Sequence, residues 1–301
     1  MAGTSVPRVV LVSRSTEYAG LLARHGTREQ ARFFLETRGR SIDEVDARAA
    51  AQTAALTVVA GAIPAEWRRA RVERSDLDRF LFEPADIVAT VGPSGLVANV
   101  AKYLDGQPVI GLNPDPARDG ALLAAHAPRR AAELIRAAAA GTARIDARTM
   151  VEAVLDDGQR VLALNEVFVG HESHQSARYL IRYAGQEEHQ SSSGIVVTTG
   201  TGATGWGRSI SLERHTVLQL PEPSEAGLAF FVREAWPSPT FGARLTEGLL
   251  GSSDRLVVVS ELNDGGVVFG DGIESDRVEF GWGVQASVGV ARQCLHLVDG
   301  A

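Results

Sequence analysis

The stretch that most limits how this chain folds is residues 86–96, an apolar run that ends in a glycine-bracketed turn. Residues 86–91 (Asp-Ile-Val-Ala-Thr-Val) predict a buried strand, residues 92–95 (Gly-Pro-Ser-Gly) a turn and residues 97–104 a helix. Residues 107–113 are again strand-like. This order predicts a βαβ unit, with the turn beyond the carboxyl end of a strand, where α/β sheets commonly bind ligands.

The turn alone leaves two interpretations open. Its N–H groups, at the start of a helix, suit a phosphate, but a tight connection that only caps the helix has the same sequence. A Walker A loop is excluded because Ala101 precedes Lys102, which is the chain's single lysine. Any phosphate chemistry here must therefore use backbone N–H groups, helix N-termini and arginines.

The N-terminal part has the pattern of an α/β domain. Residues 8–13 are continuously apolar and β-branched, typical of a parallel strand covered on both faces. A helix is predicted to begin at Ser41, where Glu44 completes the spacing of a capping box, and to run to about Gly61. Residues 126–142, rich in alanine and arginine, predict an amphipathic surface helix and a linker. We place the domain boundary just beyond it, with domains at 1–145 and 146–290 and a tail at 291–301.

The second half consists of short alternating runs punctuated by Asp-Gly pairs, the pattern of an antiparallel β-sandwich. The predicted strands are residues 151–155, 160–164, 177–183, 195–199, 255–259, 267–269 and 276–280. Within this half, residues 195–206 form a second glycine loop, with four threonines and three glycines between Thr198 and Trp206. A hydroxyl-rich surface for ribose or phosphate is one interpretation, and a bulge on a β face is the other.

Composition limits the class of protein. The chain has 301 residues, a net charge of −7 and a pI near 5.6, so nothing in its overall charge attracts nucleic acid or an anionic membrane. The single cysteine, Cys294, forms neither an intrachain disulfide nor a zinc finger. Neither a signal peptide nor a membrane span is evident. We expect a cytoplasmic protein.

Two further clusters are better explained as ordinary loops. His171 and His174 lie three residues apart, but a metal pair would need more ligands, so we predict no metal site there. The acidic residues between Asp271 and Asp276 are interpreted as a turn.

Taken together, the motifs resemble those of the NAD kinases. Residues 86–104 resemble the Gly-Gly-Asp-Gly-Thr segment, residues 164–169 (Leu-Asn-Glu-Val-Phe-Val) the Asn-Glu motif, and residues 194–209 the threonine/glycine motif. The mitochondrial type is most similar, because residues 108–116 (Pro-Val-Ile-Gly-Leu-Asn-Pro-Asp-Pro) also match it. The resemblance covers most of the chain and weakens between residues 212 and 251.

The resemblance implies an N-terminal α/β domain, a C-terminal β-sandwich with NAD in the cleft between them, a chain end that returns to the first domain, and homodimers or higher oligomers. It also implies transfer of the ATP γ-phosphate, with Mg²⁺, to the 2′-hydroxyl of the adenosine ribose of NAD. Carried over, Gly92 and Gly95 present backbone to phosphate, and Asn165 and Glu166 bind dinucleotide hydroxyls. The remaining candidates for cofactor binding are Asn113, Thr199, Thr201, Gly202 and Thr204.

The chain departs from the family at the centre of the chemistry. The motif's aspartate is Ser94, its second glycine is Pro93 and its threonine is Leu96. A serine hydroxyl is a poor general base near neutral pH, and proline removes one N–H donor. Asp115, in the loop after the next predicted strand, is the first candidate to compensate, and Glu166 is the second.

We therefore expect an NAD kinase-like phosphotransferase that acts on NAD or a nucleoside-like acceptor, with Ser94 and Asp115 as candidate catalytic residues. The alternative is a catalytically inactive NAD(P)- or nucleotide-binding regulatory protein. A related lipid kinase is disfavoured because no amphipathic membrane-docking segment stands out.

Overall fold

The computed structural model describes residues 6–115 and 122–301, and the chain divides into two compact units. Unit 1 consists of Met1–Asp146 and His296–Ala301, and unit 2 of Ala147–Leu295. Pro116, the last residue of the stretch that resembles the kinases, lies outside the described residues. Within the described ranges, no helix is both long and apolar enough to cross a membrane.

Unit 1 combines parallel strands with helices, as its sequence predicts. Its strands are β1 (Arg8–Ser13), β2 (Arg68–Glu73), β3 (Asp86–Val91) and β4 (Pro108–Leu112). Its helices are α1 (Glu17–His25), α2 (Arg28–Glu36), α3 (Ile42–Ala62), α4 (Ser94–Ala101) and α5 (Ala131–Ala140), with short 3-10 segments at Arg74–Arg79 and Pro128–Arg130.

The sheet of unit 1 is parallel. The strands lie in the order β2-β1-β3-β4, and residues 296 and 297 near the end of the chain pair in parallel with the start of β4. All six residues of β3 are buried, which explains its continuous apolar run. One hydrophobic cluster joins this sheet to α3 and α5 through side chains such as Val59, Ile110 and Leu134.

Local signals set the helix ends. Ser41 begins α3, and its hydroxyl accepts a hydrogen bond from the N–H of Asp43. Gly141 ends α5 in the left-handed conformation, with φ of 67°. The helix predicted at residues 97–104 begins earlier, at Ser94, because Pro93 is extended at φ −70° and ψ 163° and the chain turns into the helix directly after it.

Unit 2 is mostly β. The chain continues through β5 (Arg144–Leu155), whose first residues belong to unit 1, β6 (Arg160–Ala163), β7 (Glu166–His171), β8 (Ala177–Tyr183), β9 (Gln186–Ser192), β10 (Ile195–Thr199), β11 (Leu228–Val232), β12 (Glu247–Leu250), β13 (Leu256–Ser260), β14 (Gly266–Gly270), β15 (Val278–Glu279) and β16 (Gln285–Gly300). The helix α6 (Trp206–Arg214) follows β10, and 3-10 turns lie at Gly202–Thr204 and Glu274–Asp276.

Two antiparallel sheets form the predicted sandwich of unit 2. One sheet has the order β12-β11-β10-β7-β14-β15, and the other contains β16-β13-β8-β9, with β5 and β6 beside β16. A single buried cluster takes side chains from both sheets, including Val167, Val197, Ile181 and Val258. A second cluster, which includes Phe168, Val196 and Ile210, lies where α6 covers the opposite face of the first sheet.

Candidate functional site

The first candidate site lies at the carboxyl ends of the parallel strands of unit 1. The chain leaves β1 for β2 on one side and later places β3 on the other, so β1 and β3 flank the topological switch point. The loops that follow β1, β3 and β4, together with α3, line a cavity of about 260 Å³. Its polar lining residues are Arg14, Ser15, Thr16, Glu17, Arg48, Gln52, Asn113 and Asp115.

The glycine-bracketed turn has few N–H groups left for a ligand. The N–H of Gly92 donates to the carbonyl of Leu112 at 3.0 Å, and Pro93 has no N–H. The N–H of Leu96 donates back to the carbonyl of Pro93 at 2.9 Å. Gly95 has open space where a side chain would lie. The turn is thus mainly a connection between β3 and α4, and the first-turn amides of α4 are its remaining donors.

Ser94 serves the backbone of a neighbouring segment. Its hydroxyl oxygen accepts a hydrogen bond from the N–H of Leu123 at 3.2 Å, and Ser94 is not among the residues that line the cavity. Leu123 passes close to β4 at Gly111, where any Cβ would overlap the Leu123 carbonyl. The N–H of His126 then donates to the carbonyl of Gly111 at 3.1 Å. Ser94 therefore holds this segment against the sheet.

The loop after β4 contributes two predicted residues to the cavity. Asn113 is buried, and its side-chain oxygen accepts a hydrogen bond from the N–H of Asp115 at 2.9 Å, as in an Asx turn. The carboxylate of Asp115 has no hydrogen bond or ion pair within residues 6–115 and 122–301. Across the cavity wall, the side-chain amide of Gln52 donates to the carbonyl of Val91 at 2.6 Å, which ties α3 to the end of β3.

The cavity is also lined by charged side chains from the residue after β1 (Arg14), from α1 (Glu17) and from α3 (Arg48). Arg48 lies 3.2 Å and Arg40 lies 2.7 Å from the carboxylate of Glu17. Arg14 follows β1 directly and has no partner among the described residues. Among the described residues, Arg14 is therefore the cavity's one guanidinium without a hydrogen bond or ion pair.

The second candidate site, in unit 2, brings the Asn-Glu motif beside the threonine/glycine motif. Strands β7 and β10 are antiparallel neighbours, with Glu166 opposite Thr198. The N–H of Thr199 donates to the carbonyl of Asn165 at 2.9 Å, and the Thr199 hydroxyl donates to the carbonyl of Leu164 at 2.6 Å. Hydrogen bonds from Thr199 thus join the threonine/glycine motif to the Asn-Glu motif.

The threonines of this loop have different roles. The Thr199 hydroxyl also accepts hydrogen bonds from the N–H groups of Thr201 and Gly202, at 3.1 and 3.2 Å. The Thr204 hydroxyl donates to the carbonyl of Thr201 at 2.8 Å. At Gly202, any Cβ would overlap the carbonyl oxygen of Asn165. Only the Thr201 hydroxyl, although buried, has no hydrogen-bond partner among the described residues, so it is the one threonine hydroxyl in the 199–204 loop that is free for a ligand.

Asp271 organises the Asn-Glu motif. It lies in the left-handed region at φ 52°, which aspartate tolerates better than most residues. Its carboxylate accepts hydrogen bonds from the N–H groups of Leu164 at 3.0 Å and Asn165 at 2.6 Å. The N–H of Asp271 donates to the carbonyl of Glu166 at 3.0 Å. Asp271 therefore fixes the backbone conformation of residues 164–166, which include Asn165 and Glu166.

Glu166 is an unusual carboxyl group. It is 8% exposed, and its side chain has no hydrogen bond or ion pair in the part of the chain that the structure describes. Burial, together with the charge of Asp271, raises the pKa of Glu166 to about 7. A buried carboxyl with a pKa near neutral is suited to proton transfer at physiological pH.

Unit 2 has a cavity of about 300 Å³ at the His171 end of β7, the end opposite to Glu166. It is lined by the two histidines, His171 and His174, and by aromatic rings that include Phe168 and Trp206. The Nδ1 atom of His171 accepts a hydrogen bond from the N–H of Ser173 at 3.0 Å. The described residues contain no group of three or more His, Cys, Asp or Glu side chains arranged to hold a metal ion.

Two residues of these sites were not found from the sequence. The Asp-Gly pair at Asp271 predicts a turn, but it does not indicate that the carboxylate binds a motif more than a hundred residues earlier in the chain. Arg14 directly follows a predicted strand, and a position at the carboxyl end of a strand is the one feature of the sequence that could have indicated a ligand-binding role for it.

No family model matches this chain, and no curated protein does. Solved structures do match. An NAD kinase from Archaeoglobus fulgidus in complex with ATP aligns at a TM-score of 0.59 and 16% identity over 97% of this chain and 94% of that one. Yeast NADH kinase complexed with NADH aligns at a TM-score of 0.61 and 12% identity over 99% of this chain and 84% of that one.

These likenesses confirm the fold drawn from the motifs. The chain has the NAD kinase-like fold, with an α/β unit followed by an antiparallel β-sandwich. At such identities a likeness reports fold and not activity. The roles of the site residues therefore depend on the chemistry of the two sites.

Proposed function

We propose that the protein is an NAD kinase-like phosphotransferase that moves the γ-phosphate of ATP to a ribosyl hydroxyl of NAD or a nucleoside-like acceptor. The observation that carries this proposal is Glu166, a buried carboxyl beside the threonine/glycine loop that has a pKa of about 7 and no partner among the described residues. The fold it shares with kinases whose structures contain ATP and NADH supports the same reading.

In this proposal Glu166 receives the proton. The acceptor's hydroxyl oxygen attacks the γ-phosphorus, a new P–O bond forms, and the bond from the γ-phosphorus to the β–γ bridging oxygen breaks to release ADP. The hydroxyl proton passes to the Glu166 carboxylate, which is about half ionised near pH 7. The free Thr201 hydroxyl is a candidate to orient the same acceptor.

Ser94 occupies the position of the kinase motif's aspartate, but it is poorly suited to accept the proton. Its oxygen already accepts the N–H of Leu123, and an alcohol is a weak base. The carboxylate of Asp115 offers oxygen atoms in the unit 1 cavity that fit Mg²⁺, an ion usually held by one or two carboxylates and by the substrate's phosphates. When bound, Mg²⁺ would neutralise phosphate charge during transfer.

A product assay tests this function. Wild-type protein is incubated with Mg-ATP and either NAD or a panel of nucleosides, and phosphorylated products are sought by mass spectrometry. We expect a product with wild type, and a rate roughly 10²- to 10⁴-fold lower with Glu166→Gln. Glu279→Gln is the matched control, because Glu279 is exposed on β15 of the same sheet. Absence of product with every acceptor would refute the proposal.

One observation favours a second function, that of an inactive NAD(P)- or nucleotide-binding regulatory protein. Ser94, at the position of the kinase motif's aspartate, has a structural hydrogen bond instead of a free side chain. Calorimetric titration with NAD, NADP and ATP distinguishes the two functions, since tight binding without turnover supports the regulator. A gain of NAD phosphorylation in Ser94→Asp would show that only the base was missing.

A cytoplasmic homo-oligomer stays a prediction. Sedimentation of the full chain in the presence and absence of NAD measures its assembly directly.

A further inference from the structure

The unit 1 cavity contains one guanidinium that forms no ion pair with a carboxylate among the described residues. Two arginines line it, Arg14 after β1 and Arg48 on α3. Arg48 is engaged, because its guanidinium lies 3.2 Å from Glu17 and also donates to the carbonyl of Glu44 at 3.3 Å. Arg14 has no hydrogen bond or ion pair in the described ranges. An arginine left unpaired at a switch-point cavity is a candidate ligand for an anion.

The turn after β3 has lost donors of the kind that usually bind phosphate in such a loop. Gly92 gives its N–H to Leu112, and Pro93 has none. The turn's remaining N–H groups, those of Ser94 and Gly95, lie in the first turn of α4, where a helix offers no carbonyl of its own to them. This turn thus offers a phosphate fewer N–H donors than the Gly-Gly-Asp-Gly-Thr motif of the kinases does. A phosphate bound here would therefore depend more strongly on a cationic side chain.

We propose that Arg14 binds a phosphate of the phosphoryl donor and replaces the donors lost from the turn. The inference rests on the proposed function and deepens it. A guanidinium forms paired, charge-assisted hydrogen bonds with phosphate oxygens, which a single N–H does not match. The cavity, at about 260 Å³, is smaller than the roughly 300–1,000 Å³ typical of pockets that enclose a whole organic ligand. It therefore suits the phosphate chain, which ATP and inorganic polyphosphate share.

The cavity's two carboxylates are compatible with this assignment when Mg²⁺ accompanies the phosphate. Glu17 is neutralised by Arg40 and Arg48, which lie 2.7 and 3.2 Å away. Asp115 has no ion pair among the described residues and would repel a bare phosphate chain, but it would supply an oxygen ligand to Mg²⁺ accompanying that chain. The affinity for phosphates is thus expected to rise when Mg²⁺ is added.

A binding measurement tests the proposal independently of turnover. Calorimetry measures the affinity of the full chain for ATP, ADP, tripolyphosphate and orthophosphate, each with and without Mg²⁺. Arg14→Gln should weaken binding roughly ten- to a hundred-fold, and Arg14→Lys should restore part of it. Arg136→Gln is the matched control, because Arg136 is exposed on α5 and does not line the cavity. The nucleotide and tripolyphosphate arms tell the two donors apart.

The outcomes separate this inference from the proposed function. If Arg14→Gln loses phosphate binding while wild type makes no product, Arg14 keeps its assignment and the kinase proposal fails. If wild type is a kinase and Arg14→Gln binds phosphates as wild type does, the assignment is wrong. Failure of wild type to bind any of the four ligands at millimolar concentrations also overturns it.

Discussion

At position 94 the chain carries a hydroxyl whose oxygen is already committed to the N–H of Leu123. Removing it in Ser94→Ala leaves a partly buried N–H without its acceptor, so the free energy of unfolding should fall by roughly 1 kcal/mol. Because we assign proton transfer to Glu166, the same variant should keep its catalytic rate within about ten-fold, far less than the loss of a general base costs. Urea unfolding and a steady-state assay on the same preparation measure both. A loss of activity as large as that of Glu166→Gln would show that Ser94 is itself the base.

Glu166 predicts a pH dependence of stability. Its pKa is about 7 in the folded protein and has an ordinary value of 4.5, so the folded state keeps a proton that the unfolded chain releases in between. The stability this group contributes is fully present below pH 4.5 and is lost as the pH rises to about 7, by an amount on the order of 3 kcal/mol. Glu166→Gln, which does not titrate, should not show that loss.

Urea unfolding below and above that pH window, with Glu279→Gln as the control, checks this prediction. Equal pH slopes for wild type and Glu166→Gln would mean that the carboxyl is not held neutral by burial.

The sequence located these residues better than it described their roles. Thr199, Thr201 and Thr204 were all candidate ligands, yet the hydroxyls of Thr199 and Thr204 are used within their own loop. Whether a hydroxyl turns inward depends on where neighbouring carbonyls lie, which a motif does not specify. The role of Asp271 does not follow from the sequence, because its contact with Leu164 joins distant parts of the chain. Arg14 does not stand out either, because its distinguishing feature is that it has no partner among the described residues.

Among the elements, those with strong local signals were predicted almost residue for residue. The apolar runs at β1, β3 and β10 have the bounds expected from the sequence. The sequence does not predict the polar strand β9, because this strand has no alternating apolar residues. Its buried Gln190 and Ser192 instead form hydrogen bonds with the Tyr179 hydroxyl. Where pairing and a buried polar contact decide the structure, hydrophobic periodicity gives little warning.

The contact between the two motifs of unit 2 depends on Gly202. A Cβ there would overlap the Asn165 carbonyl, and backbone offers no flexible end that can move aside. Gly202→Ala should therefore destabilise the protein by about 2 kcal/mol or more and weaken binding of NAD. The control is Gly281→Ala, since nothing lies within 4 Å of a Cβ at Gly281, and it should stay within about 0.5 kcal/mol of wild type. Thermal unfolding and calorimetry with NAD measure the two effects, and equal behaviour of both variants would contradict the assignment.

At the scale of the whole molecule, the end of the chain belongs to the first unit. Residues 296 and 297 pair with the start of β4, and the side chain of Val298 is almost fully buried in the core of unit 1. The carbonyl of Val298 also meets Nε2 of His126 at 2.8 Å. In the sequence, only the resemblance to the NAD kinases implies that the end of the chain returns to the first unit. No local pattern near the C-terminus indicates which strand the end of the chain pairs with.

Deleting residues 298–301 should therefore destabilise the protein. The loss of one buried valine and of the hydrogen bond from His126 is expected to lower the free energy of unfolding by roughly 3 kcal/mol. Deletion of the exposed Ala301 alone should change it by less than about 0.5 kcal/mol. Urea unfolding followed by circular dichroism gives both values, and indistinguishable curves for the two deletions would show that the terminal strand adds nothing to the fold.

The dependence of NAD phosphorylation on pH tests most directly whether Glu166 makes this fold a working kinase. With Mg-ATP and NAD, the rate of wild type should rise with pH and level off above about pH 7, as the carboxyl of Glu166 loses its proton. Glu166→Gln should be slower by roughly 10²- to 10⁴-fold and should lack that rise. A Glu166→Gln variant as fast as wild type, with the same pH profile, would contradict the proposed role of this residue.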